Sequence, residues 1–243
     1  VGSALLTRNL RCRNLEDVTA TNGIAPLPPA PPKPRARGWI HFWSFLVSIG
    51  AGVTLIVLAA TTVSARAALS TTVYTITVLG LFGVSALYHR RTWVSARARL
   101  WMKRLDHSMI FLFIAGTYTP FTLLALPPDT GRLVLAVVWV GAVGGVVLKL
   151  AWPRAPRWLG VPIYVALGWV AVFVIPDLAE AGGVAAVALL LVGGLLYTCG
   201  AVFYGTRWPN PWPETFGYHE FFHAATALAA LSHYVAIWLV LYA

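Results

Sequence analysis

The chain has 243 residues, of which 58% are apolar and 11% charged, with a mean hydropathy of +0.73. Soluble domains carry about a quarter charged residues, so this composition excludes an ordinary soluble enzyme or binding module and implies a membrane protein. The formal net charge of +10 would suit nucleic acid as a partner, but the placement of the charges along the chain argues otherwise.

Residues 1–38 are polar and then proline-rich (Ala25-PLPPAPPKP-Arg35). They lack the apolar run of a signal peptide and read as a disordered, basic cytoplasmic extension. A bilayer-spanning helix needs about 20 mostly apolar residues. With that window, seven spans follow, at roughly 39–63, 67–89, 105–126, 131–151, 157–176, 183–205 and 217–242. The expected fold is an all-α, seven-transmembrane helix bundle in which residues 39–243 form one domain. His41 opens the first span between Trp39 and Trp43 and reads as part of an interfacial belt. The third span carries Gly116-TYTP-Phe121, where Pro120 is expected to bend or interrupt the helix and Thr117 and Thr119 to satisfy freed carbonyls. Pro127-PDTG-Arg132 reads as a turn and Asp177-LAEAGG-Val184 as a short acidic link. The fourth to sixth spans hold almost no ionisable residues, and Gly141-AVGG and Gly193-Gly194 read as close-packing surfaces of a scaffold.

Sixteen of the 18 Lys and Arg residues fall before the first span or in the links after the second, fourth and sixth. Arg66 and Arg132 are left for the other side. Excess Lys and Arg mark the cytoplasmic side, so the N-terminus is expected in the cytoplasm and the C-terminus outside, in a multi-pass inner or plasma membrane protein. The basic loops then face anionic lipid headgroups, with membrane lipids and no nucleic acid as partners. Cys12 reads as a tail residue and Cys199 as a small core residue, with no pattern for a disulfide or a cysteine metal site.

Ionisable side chains inside a span are costly and point to function. With this topology Ser85 and His89 end the second span, Asp106 lies in the first turn of the third, and His219, Glu220 and His223 open the seventh. All of them reach one leaflet. His219 and His223 are four residues apart, which stacks them on one helix face at a separation that a single metal ion bridges. Three neutral imidazoles, His89, His219 and His223, with an open fourth position suit catalytic zinc, which imidazole favours over harder cations. Asp106 can orient a water or a ligand histidine from behind. Each histidine alone would read as an interfacial residue snorkelling to the headgroups. His219-EFF-His223 matches the H-E-x-x-H metalloprotease pattern, yet Glu220 at a helix start equally suits the positive end of the helix dipole. His233 lies about 21 Å further along that helix and reads as a buried hydrogen-bonding residue, and His107 as a support or headgroup-facing residue.

Ser85-ALY-His89, Leu105-DHSMIFLFIAGTYTP-Phe121 and His219-EFF-His223 together resemble the hemolysin III family, the bacterial branch of the progestin and adipoQ receptor superfamily, over about residues 39–243. The resemblance implies an intramembrane zinc site with His89, His219 and His223 as ligands, Asp106 holding the metal's water and Ser85 as a hydrogen-bonding neighbour. The family is similar to alkaline ceramidases, which implies a metal-dependent hydrolase acting on a lipid amide or ester. In that chemistry Asp106 accepts and passes on the proton and Ser85 donates to the developing oxyanion. Two other functions fit the resemblance, a non-catalytic zinc-containing receptor or regulator of membrane homeostasis and a cytolysin. A pore needs polar lining through the whole bilayer, and the ionisable residues crowd one leaflet. A retinal-type protein is disfavoured because no span interior offers a lysine.

Overall fold

The computed structural model describes residues 33–152 and 156–243, and among them the secondary structure is helical apart from one isolated bridge between Trp212 and Phe216. The tail residues up to 32, with Cys12 and the basic residues there, and Arg154 lie outside the described residues.

The helices, in chain order, are α1 (Trp39–Leu58, prolonged by a π turn over Ala59–Val63), α2 (Ala65–Arg90), α3 (Ala96–Leu124), α4 (Pro128–Ala151), α5 (Arg157–Gly168), α6 (Ile175–Thr206) and α7 (Tyr218–Leu241). A 3-10 segment, Trp169–Val174, joins α5 to α6. Six runs among the described residues are long and apolar enough to cross a membrane, because the stretch from Trp158 to Thr206 forms one of them. Apolar composition drives these helices, since a chain in lipid must satisfy its backbone groups internally. Four hydroxyls of α2 obey the same demand, whereas Thr75 Oγ1 is buried without a partner. Ser70 and Thr71 donate to the Ala67 carbonyl, Thr72 to that of Ala68 and Thr77 to that of Tyr74.

Neighbouring helices pack in order along α1, α2, α3 and α4, α6 lies along α7, and α1 touches α7. The most enclosed helices are α2, α3 and α7, whereas α1, α4 and the α5–α6 run turn most of their surface outward. The glycine surfaces hold the outer helices close. Gly141 meets Leu167, Gly145 meets Phe111 and Gly193 meets the His233 ring, while Gly144 faces open space.

Several expectations need correction. Helix α3 begins at Ala96, where the Ser95 hydroxyl accepts from the Ala98 N–H at 3.3 Å, so Asp106 sits in its third turn rather than its first. The helix also continues past Pro120 to Leu124. Thr117 and Thr119 bond the carbonyls of Phe113 and Ala115, not that of Gly116, whose partner Pro120 cannot supply. The Pro127 turn is the start of α4, with Pro128 at the position where a missing N–H costs nothing. The acidic link lies within the α6 run, broken only at Gly183, whose φ of 73° and ψ of 172° are open to glycine. Cys199 is exposed on α6 and is not a core residue.

Candidate metal centre

Three segments far apart in sequence converge at one end of the bundle. The last turn of α2 brings His89, and the first turns of α7 bring His219 and His223. The Nε2 atoms of His89 and His219 are 3.2 Å apart, and one ring nitrogen from each of the three histidines lies within 4.8 Å of the others. Two nitrogens on a tetrahedral zinc are roughly 3.3 Å apart for Zn–N near 2.05 Å, so the spacing fits a shared ion. His89 and His223 are buried and His219 half-buried. The three histidines could therefore bind a metal, and Nε2 of His89 also lies 3.8 Å from the Asp106 carboxylate. Ser85, one turn before His89 and 3% exposed, lies beside that carboxylate. The expected site residues thus come together.

His41 was expected at the interface, but it is buried at 2% exposure, with its ring stacked on that of His223 at 3.8 Å and 12°. Neither of its ring nitrogens has a hydrogen-bond partner of ordinary geometry. The rule that exposed the other histidines, an ionisable group in an apolar span, applied to it equally. Its flanking tryptophans hid the signal.

Glu220 has a structural role. Its Oε2 accepts the Gly217 N–H at 2.9 Å, and its Oε1 pairs with Nε of Arg37 at 2.5 Å. Both carboxylate oxygens are engaged and the side chain is 1% exposed, which leaves none of it to act as the general base of an H-E-x-x-H motif.

Arg37 belongs to a strap over the site. The N–H groups of Arg35 and Ala36 donate to the carbonyls of Glu214 and Thr215, and Nζ of Lys33 reaches the His89 carbonyl at 3.5 Å. Burial, with Arg99 and Arg37 nearby, lowers the Lys33 pKa from its ordinary value. Gly38 then turns the chain into α1 with φ of 79°, and a Cβ there would stand 2.8 Å from that of His89. Only glycine allows so close an approach in that conformation. Arg90 locks the corner by lying 3.4 Å above the Trp39 ring.

From the histidines a cavity of about 870 Å³ extends through the bundle, lined by His107, Phe113, Tyr118 and Leu190 and reaching Leu126 and Leu178. Ligand cavities span about 300–1,000 Å³. His233 lies on its wall and donates from Nε2 to the Leu190 carbonyl at 3.2 Å, the hydrogen-bonding role expected of it.

The model of the family described as Haemolysin-III related matches residues 30–234. The "Hemolysin-3 homolog" of Bacillus subtilis (strain 168) is 36% identical over 169 residues, which cover 70% of this chain and 78% of that protein. "Hemolysin-3" of Bacillus cereus is 35% identical, covering 70% and 76%. The "Heptahelical transmembrane protein ADIPOR2" of Oryza sativa subsp. japonica is 28% identical over 183 residues, covering 68% and 79%. The family match spans all three motifs and the strap, and with its six apolar runs the chain is a multi-pass cell-membrane protein of the haemolysin III family.

Proposed function

We propose that this protein is a zinc-dependent hydrolase of a lipid amide or ester, built as a seven-span bundle with its N-terminus in the cytoplasm and its C-terminus outside. The carrying observation is the cluster of three histidine nitrogens within 4.8 Å of one another, set at one end of a largely apolar cavity beside a carboxylate. In this reading residues 39–243 form the seven-span domain and residues 1–38 its extension. The seven-span count is supported by the run from Trp158 to Thr206. Its 49 residues would stretch over roughly 70 Å as a helix, more than twice the hydrocarbon thickness of about 30 Å, and Gly183 breaks it. The name of the rice relative, a heptahelical transmembrane protein, also favours seven.

When bound, zinc would be held by His89, His219 and His223, polarise the scissile carbonyl and acidify water. Asp106 takes a proton from the attacking water, whose oxygen adds to the acyl carbon, and passes it to the leaving nitrogen or oxygen as the old bond breaks. Ser85, buried beside Asp106 on the cavity wall, donates to the developing oxyanion. The apolar cavity takes the acyl chain and excludes bulk water.

The test is fatty-acid release from N-acyl and ester lipids by purified, reconstituted protein, followed by mass spectrometry beside Asp106→Asn. Release by wild type and its loss in the variant is the expected result. A zinc-loaded, folded wild type that consumes none of these lipids would overturn catalysis and leave a lipid-sensing regulator, which the same cavity would equally serve.

A further inference from the structure

We infer that the cavity takes an acyl lipid bearing an anionic headgroup, seated by Lys103 and Lys149 at its histidine end. Whether that lipid is then cleaved rests on the hydrolase reading above, whereas its binding does not.

The inference starts from an imbalance of charge. Arg37, Lys103, Arg104, Lys149 and Arg207 line the cavity, and Asp106 is the only carboxylate among its described lining residues. Arg37 is neutralised by Glu220, and Asp106 already faces His89. The remaining four cations have no lining carboxylate left to meet. Lys103 on α3 and Lys149 on α4 are half-buried and line the same cavity. Neither makes a hydrogen bond or ion pair with another described residue. Nζ of Lys149 is turned onto α5, against Gly160. Two like charges on the wall of one largely apolar cavity are costly without an anion to meet them.

Arg90 and Arg91 behave differently. Arg90 rests on Trp39 and Arg91 on Trp93, and neither lines the cavity. Basic residues that merely face the membrane surface need no cavity, so Lys103 and Lys149 are singled out by position and not by charge alone. An amide lipid with an uncharged headgroup would leave both unpaired. A phosphate or carboxylate on the headgroup would bridge them while the acyl chain follows the wall past Phe113 and Tyr118 toward Leu178.

The experiment measures binding to purified wild-type protein in neutral detergent by native mass spectrometry, with dioleoyl phosphatidylglycerol, dioleoyl phosphatidylcholine and dioleoylglycerol as probes and inorganic phosphate as a separate arm. The phosphatidylglycerol is expected to bind at least tenfold more tightly than the other two. Lys103→Gln/Lys149→Gln should remove about tenfold or more of that preference, at roughly tenfold per 1.4 kcal/mol and about 1 kcal/mol per basic group. Arg90→Gln/Arg91→Gln should keep it, which separates the cavity from the general basic surface. Equal binding of all three lipids, equal losses in the two double variants, or inorganic phosphate competing as well as the lipid would each overturn the proposal. Hydrolysis of an uncharged lipid without anionic preference would overturn it and leave the hydrolase standing. Anionic preference without hydrolysis would do the reverse.

Discussion

Helix α7 carries three histidines, and they end in opposite circumstances. His219 and His223 meet His89 from α2 and, through that residue, Asp106 from α3. His233, on the same helix and in a similarly apolar stretch, meets a backbone carbonyl of α6. Residue type and local composition are shared, so neither decides the role. Convergence of independent segments does, and a lone imidazole such as His233 bonds whatever acceptor the next helix offers through one nitrogen, here leaving Nδ1 without a partner.

The strongest way to break this comparison is to remove ligands. His89→Ala and the His219→Ala/His223→Ala pair should reduce bound zinc from near one per protomer to near zero by elemental mass spectrometry, while His233→Ala retains it. Equal retention in all three would dissolve the distinction. Next comes the clamp at the start of α7. Glu220→Ala leaves Arg37 facing a vacated site and exposes the Gly217 N–H, and breaking a buried pair of this kind costs about 3 kcal/mol or more. Its thermal midpoint in detergent should fall further than that of any single ligand variant. Glu220→Gln, which keeps the acceptor for Gly217, should recover part of the loss.

His41 sharpens the comparison because it is buried beside the site yet makes no ordinary hydrogen bond. His41→Phe preserves a flat ring against His223 and should leave zinc content unchanged, whereas His41→Ala opens a cavity costing about 2 kcal/mol and should weaken zinc retention against a chelator. The smallest effect is expected at His233. Replacing it with Phe removes one hydrogen bond, worth about 1 kcal/mol, with no change in metal content.

Much of this was legible in advance, for identifiable reasons. Spans declare themselves by composition, and the pairs Ser85/His89 and His219/His223 declare a shared face by their four-residue spacing. The start of α3 did not, because Ala96–Arg104 is too charged for a hydropathy window and its only marker is the Ser95 cap. The Arg37–Glu220 pair joins positions 183 residues apart, and a carboxylate at a helix start already has a sufficient local explanation. Long-range pairs between residues that each look locally satisfied leave no trace in a single sequence. The turn assigned to Pro127 failed for a related reason, since proline opens helices as readily as it ends them.

The strap over His89 also fixes an order of events. Synthesis runs from N to C terminus, so Arg35, Ala36 and Arg37 leave the ribosome before any described helix, while Glu214, Thr215 and Glu220, to which they bond, emerge with the last. Until α7 is inserted, His89 stands without its two partner imidazoles and the strap has nothing to hold. Closure of the site is therefore the final act of assembly, and a chain halted before α7 would present an open mouth to the lipid around it.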